Sequence, residues 1–248
     1  MSKIYIFDVD GTLTPSRQKM TEEFKDFFKE WALRNTFYLV TGSDLPKLQE
    51  QMDGMEIHSS GIFTCCGNEF WPVDPAVHPK YADNIYSNKF KPADSLIKYL
   101  EDTLDNSDYP IKAGQPIEDR GSMLNFSMVG RKCTLQERKD YFEYDKLTGE
   151  RQNIAKYIRT HWEDLDAVIG GQISIDIYPK GNDKSQVLDI IKQERLVEPN
   201  EYIFIGDRIE GGGNDYPLAA LMDNIVNCDW HHTSGWEETK QILEKLSD

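Results

Sequence analysis

The chain has 248 residues, 39% of them apolar, and a formal net charge of −15. That length suits one large domain or a core with a smaller insertion, and the apolar share is enough for a sizeable buried core. The acidic balance argues against nucleic acid and membrane surfaces as partners, no apolar run reaches membrane-spanning length, and an anionic small substrate would need a local cluster of Arg, Lys or metal.

In chain order, residues 3–8 read as a short buried strand, with aspartates interrupting the apolar start too early for an export signal. Phe24, Phe27, Phe28 and Trp31 fall at helical spacing behind Thr21, which predicts an amphipathic helix over 21–34 with Thr21 as its cap. TFYLVTGSD is a second strand ending at Thr41. Pro46 suits the first turn of the next helix, capped by Ser43 or Asp44. GIFTCCG is a third strand. Its adjacent Cys65 and Cys66 make a poor structural disulfide. With Cys133 and Cys228 they show no zinc spacing and read as thiols of a reducing, cytoplasmic compartment. Strands alternating with helices predict an α/β fold with a doubly wound parallel sheet.

The pattern changes near residue 75. VDPAVHPKYADN reads as a linker, Leu96, Ile97, Leu100 and Leu104 mark a helix opened by Pro92, and SMLNFSMVG is a strand. Two polar-faced helices follow at 134–146 and 150–162. GGQISIDIYP is an alternating strand with Ile173, Ile175 and Ile177 on one face. This half reads as α+β and antiparallel. The first pattern then returns with a helix near 184–196, strand EYIFIGD, a short helix, strand NIVNCD and a last helix capped by a box of Ser234 and Glu237. The expected organisation is a core of 1–81 and 184–248 with an inserted α+β domain at 82–183.

Ligands of open parallel sheets bind at the carboxyl ends of the strands. Asp8 and Asp10, Thr41 and Ser43, Lys184, and Asp207 with Asp215 all fall there or just beyond. Asp8 and Asp10 sit two residues apart, on one side of a strand, where their charges repel. Phosphoryl transfer explains the set. A carboxylate, Asp8, attacks phosphorus. Mg²⁺, an oxygen-seeking ion, is held by Asp8 and Asp207 with help from Asp215, and its place between Asp8 and Asp10 lets that pair coexist. Lys184 adds positive charge, the Thr41 or Ser43 hydroxyl holds phosphoryl oxygens, and Asp10 is left to move protons.

FDVDGTLT, Thr41, Lys184 and GDRIEGGGND resemble the four motifs of the haloacid dehalogenase superfamily. In that superfamily the first Asp is the nucleophile, the second is the acid and base, and the inserted domain is a cap. TPSRQKMT, RGSMLNFSMVGRKCTLQER, GGQISIDIYPKGNDK and the spacing from Asp207 to Asp215 further resemble the eukaryotic-type phosphomannomutases. The resemblance implies a mutase that interconverts mannose 6-phosphate and mannose 1-phosphate. It implies Mg²⁺ held by Asp8, Asp10, Asp207 and Asp215, a hexose 1,6-bisphosphate activator, and a homodimer through the cap. It places Arg17, Arg120, Arg131 and Arg138 on phosphate, and Ser174 and Asp176 on sugar. Arg131 at a strand end and Arg138 in the following helix can face one anion, and guanidinium forks fit phosphate. Ser174 and Asp176 share the polar face of their strand. The family usually has glycine where Thr41 stands and GDK where this chain has GDR, and YPLAALMD does not resemble the family's second cation loop, so one ion is expected. Thr41 keeps a sugar-phosphate phosphatase as the alternative. A sugar-phosphate binding module without activity would need no Asp8.

Overall fold

A computed structural model describes residues 3–74, 83–194 and 201–247. The described residues divide into two compact units. One is Met1–Ser87 with Asn182–Asp248, and the other is Asn88–Gly181.

In the first unit, β1 (Lys3–Phe7), β2 (Thr36–Val40), β3 (Gly61–Thr64), β10 (Glu201–Gly206) and β11 (Cys228–His232) are parallel. The sheet continues with β4 (Glu69–Pro72) and β5 (Tyr86–Ser87), both antiparallel to their neighbours, giving the order β11-β10-β1-β2-β3-β4-β5. The expected parallel sheet therefore carries an antiparallel edge. Strand side chains alternate between two apolar layers, which is why β1 reads as continuously hydrophobic. Tyr5 and Phe7 pack with Phe24, Phe28 and Trp31 of α1 (Glu22–Ala32), with α2 (Leu45–Met52) and with α8 (Trp236–Ser247). Ile4 and Ile6 face Val187, Leu188 and Ile191 of α6 (Gln186–Gln193) and Leu218 and Met222 of α7 (Tyr216–Met222). Phe7 meets Phe28 edge-on at 5.8 Å between ring centres, and emptying such a site costs about 3–5 kcal/mol.

Thr21 caps α1 by accepting from Phe24 N–H, and Asp44, not Ser43, caps α2 by accepting from Lys47 N–H. Two local expectations shift. The strand read at 224–229 begins only at Cys228. Ile225 N–H donates to Met222 O, Cys228 N–H to Ile225 O, and Asn227 is left-handed, so these residues form a turn. The last helix is tied by Glu238 instead of Glu237. Ser234 N–H and Oγ both donate to Glu238 Oε2 at 2.8 Å, because Thr239 N–H bonds Gly235 O and the first turn starts one residue later than the S-x-x-E spacing assumes. Residues 195 and 196 of the helix near 184–196, and 75–82 of the linker, lie outside the described residues.

The second unit is an antiparallel sheet ordered β6 (Ile117–Asp119), β7 (Leu124–Ser127), β9 (Ser174–Pro179), β8 (Leu165–Gly170). Leu124, Phe126, Ile175 and Ile177 pack on α3 (Asp94–Asn106), α4 (Leu135–Thr148) and α5 (Glu150–His161). The opposite face is polar: Asn125 pairs with Asp176 and Ser127 with Ser174. Among the described residues no helix is long and apolar enough to cross a membrane.

Candidate active site

The carboxyl end of β1 delivers Asp8, which is buried, and anchors it by Asp8 N–H to Ile205 O of the neighbouring strand. Asp207 follows β10 directly. Asp215 comes back from the GGGND loop, its Oδ2 accepting from Arg208 N–H at 2.9 Å. Oxygens of Asp8, Asp207 and Asp215 lie within 4.8 Å of one another. Two glycines make this crowding feasible. A Cβ on Gly11, itself at φ +96°, would stand 2.6 Å from Asp207 Oδ2, and one on Gly206 would stand 2.6 Å from Asp215 Oδ2.

Lys184, with no exposed surface, donates to Asp8 Oδ1 at 2.6 Å and Asp215 Oδ1 at 2.7 Å. Burial alone would lower its pKa, but Asp215 and Asp8 outweigh burial and hold the ammonium protonated. Burial pushes Asp8 up to about 7, with Lys184 opposing and Asp215 and Asp10 adding to the rise. Asp207 is raised well above the usual carboxylate range by burial and by Asp8 and Asp215. Three carboxylates against one ammonium leave an excess of negative charge in an all-oxygen donor set. That is the kind of site Mg²⁺ takes with a phosphate completing its shell.

Asp10 stands apart. The sequence places it among the ligands, but its carboxylate accepts from Arg17 N–H at 2.6 Å and Gln51 Nε2 at 2.8 Å and is not in the three-carboxylate group. Arg17 adopts a left-handed backbone there. Buried Thr41 accepts from Ser43 N–H at 3.1 Å, so the two hydroxyl residues of the β2 loop are one local unit.

In the second unit, Arg120 Nε donates to Glu118 Oε2 at 2.9 Å and a second guanidinium nitrogen of Arg120 bonds the same oxygen. Arg131 Nε lies 3.6 Å from that oxygen. Arg138 is buried on α4. Ser174 Oγ donates to Gly170 O at 2.9 Å, and Asp176 Oδ1 accepts from Asn125 Nδ2 at 2.7 Å. Thus Arg120 and Arg131 converge on one carboxylate, and Ser174 and Asp176 occupy adjacent rows of one polar face.

Sequence reasoning missed Thr12, Gln51, Glu118 and Asn125. Thr12, whose Oγ1 donates to Asp8 Oδ2 at 3.2 Å, lies inside the D-x-D-G-T motif and was legible there. Asn125 lies two residues from Ser127 on a polar strand face. Gln51 and Glu118 carry no local signal.

A model of the family described as eukaryotic phosphomannomutase matches residues 24–247. A phosphomannomutase of Encephalitozoon cuniculi is 38% identical over 253 aligned positions, covering 98% of this chain and 94% of that protein. One from Drosophila melanogaster is 36% identical over 246, with the same coverage of 98% and 94%. Among solved structures, an IMP-bound, N-terminally truncated Plasmodium falciparum IMP-nucleotidase superposes with a TM-score of 0.64 at 16% identity, covering 99% of this chain and 68% of that one. A haloacid dehalogenase-like hydrolase from Bacteroides thetaiotaomicron gives 0.60 at 12% identity, covering 99% and 100%. The distant structures agree on the haloacid dehalogenase-like fold. The family match and the relatives, spanning nearly the whole length, place this chain in the eukaryotic phosphomannomutase family.

Proposed function

We propose that this enzyme interconverts mannose 6-phosphate and mannose 1-phosphate by two phosphoryl transfers through Asp8. The observation that carries the reading is Lys184 bridging Asp8 and Asp215 beside Asp207, in a chain of this family. Asp8 attacks a phosphorus of hexose 1,6-bisphosphate, the bond from phosphorus to the sugar oxygen breaks, and Asp10 gives that oxygen its proton. In the return step Asp10 takes the proton from the hydroxyl of the sugar phosphate that attacks phosphorus, and Asp8 is released as carboxylate. Asp8, Asp207 and Asp215 would hold Mg²⁺, which supplies charge neutralisation at the phosphoryl group. Lys184 cancels part of the charge on Asp8, and Thr41 and Ser43 orient phosphoryl oxygens.

The second unit serves as the substrate-binding cap. Arg120, Arg131 and Arg138 grip the phosphate that does not react, Ser174 and Asp176 read sugar hydroxyls, and in the first unit Arg17 binds phosphate. Glu118, on which Arg120 and Arg131 meet, holds their guanidinium groups where a phosphate would compete for them. A homodimer through the cap is supported by Leu135 and Leu147, large apolar side chains exposed on α4. A cytosolic setting is supported by four cysteines that form no disulfide.

A sugar-phosphate phosphatase is the second reading, favoured by Thr41. The deciding measurement is ³¹P NMR with saturating mannose 1-phosphate and catalytic bisphosphate. Isomerised hexose phosphate in excess of inorganic phosphate supports the mutase. Dominant inorganic phosphate without bisphosphate activation supports the phosphatase.

A further inference from the structure

Directly after β3 the chain runs through three consecutive left-handed residues, Cys65 at φ 52°, Cys66 at 59° and Gly67 at 88°. Two of them are not glycine, and left-handed residues ordinarily occur singly. The turn is held from every side within the first unit. Cys65 N–H donates to Ser43 O at 3.0 Å and Cys66 N–H to Thr41 O at 2.8 Å. Cys66 O accepts from Gln186 Nε2 at 3.2 Å, and Gly67 O from Tyr86 Oη at 2.6 Å. Cys65 O accepts from the side chain of Asn68 at 2.7 Å. Asn68 is wholly buried, and its amide nitrogen also donates to Asn182 O at 2.8 Å, two residues before Lys184.

Two carbonyl oxygens, Cys65 O and Asn182 O, are thereby drawn to one nitrogen. Carbonyls repel each other unless a donor with two hydrogens lies between them, and a carboxamide is a compact side chain of that kind. We propose that Asn68 is a positioning residue for Lys184. Its amide couples the left-handed turn, and through that turn Thr41 and Ser43, to the segment that carries Lys184 onto Asp8. This rests on the reading of Asp8 and Lys184 as the reacting site. Lys184 reaches its two carboxylates with little slack, at 2.6 and 2.7 Å, so a small displacement of its backbone is felt in the reaction.

The test is a kinetic double-mutant cycle on the full chain, using mannose 1-phosphate with bisphosphate and ³¹P NMR for slow variants. Asn68→Ala should lower kcat by about ten- to a hundredfold while KM stays within about twofold, since the groups assigned to the sugar and the non-reacting phosphate are untouched. In a Lys184→Ala background the same substitution should cost nothing further, because a residue acting only through Lys184 has nothing left to position. Asn68→Ser, which keeps a single donor hydrogen, should fall between the parent and Asn68→Ala. Unchanged kcat in Asn68→Ala, or losses that multiply independently in the double variant, would overturn the proposal, as would a variant pair in which neither Ala nor Ser folds. A Lys184→Ala enzyme as active as the parent would sink both this proposal and the site reading. An inactive Lys184→Ala with a fully active Asn68→Ala would sink this one alone.

Discussion

Lys184 Nζ sits 2.6 Å from Asp8 Oδ1, with both groups buried, and the two residues are 176 positions apart in the chain. The pair closes the site from its two chain segments. Removing the ammonium strands buried carboxylates, the costly half of breaking a buried ion pair, typically about 3–5 kcal/mol. Lys184→Ala is expected to lose most of its turnover, leaving a slow residual rate, and to lower Tm, with part of the Tm restored by Mg²⁺. Differential scanning calorimetry with and without the ion checks this.

Asp8→Asn should abolish turnover while the fold persists, because an amide is a poor nucleophile and a weaker Mg²⁺ ligand. Loss of a covalent nucleophile should cost several orders of magnitude in rate, so residual activity above about one per cent would contradict the assignment.

Stability without metal should fall as pH rises through the range from about 4 to about 7. Burial raises Asp8 to about 7 and Asp207 well above its ordinary value, so the folded state binds more protons than the unfolded state in that window. Stability is then fully present below the unfolded pKa and is lost as pH climbs to the folded one. Mg²⁺ favours the ionised carboxylates and should flatten or reverse the slope. Tm measured from pH 5 to 8 in chelator and in Mg²⁺ tests both halves; a rising chelator curve would refute the expectation.

Arg131→Ala and Arg138→Ala should weaken hexose phosphates and spare p-nitrophenyl phosphate, which has only the phosphate that reacts. A charge-assisted hydrogen bond is worth about 1.5–3 kcal/mol, or roughly ten- to a hundredfold in kcat/KM. Equal losses on both substrates would remove these arginines from the distal phosphate.

Cys66→Val should destabilise the enzyme although volume and apolarity barely change. Cys66 is buried at φ 59°, a conformation costing L-residues about 1–2 kcal/mol, and a β-branched side chain fits it worse. Urea denaturation reads the difference, and a neutral result would argue against the left-handed turn.

The sequence by itself determined the strands of the parallel sheet up to β11, the cap at Thr21, the alternation at Ile173, Ile175 and Ile177, and the residue types at the strand ends, and it narrowed the cap of α2 to Ser43 or Asp44. These are local properties: period, capping chemistry and motif spacing extend over a few residues and are written in the order of the chain. The antiparallel β4–β5 edge, the short β6, and β8 were not legible, because β4 to β6 have two to four residues and include polar or charged ones, and Asp166 interrupts β8, so their pairing comes from neighbours rather than from their own pattern. Asp8, Asp207 and Asp215 meet as their places at the strand ends suggested, but only the tertiary structure decided which other charges join or leave them. It turns Asp10 to Gln51 and Arg17. It brings Arg120 and Arg131 to Glu118, and Asn68 to Asn182. Such contacts depend on where the backbone returns after many residues, and buried charge makes each of them selective, since a carboxylate or carbonyl deprived of water must find its donor in whatever the fold brings alongside.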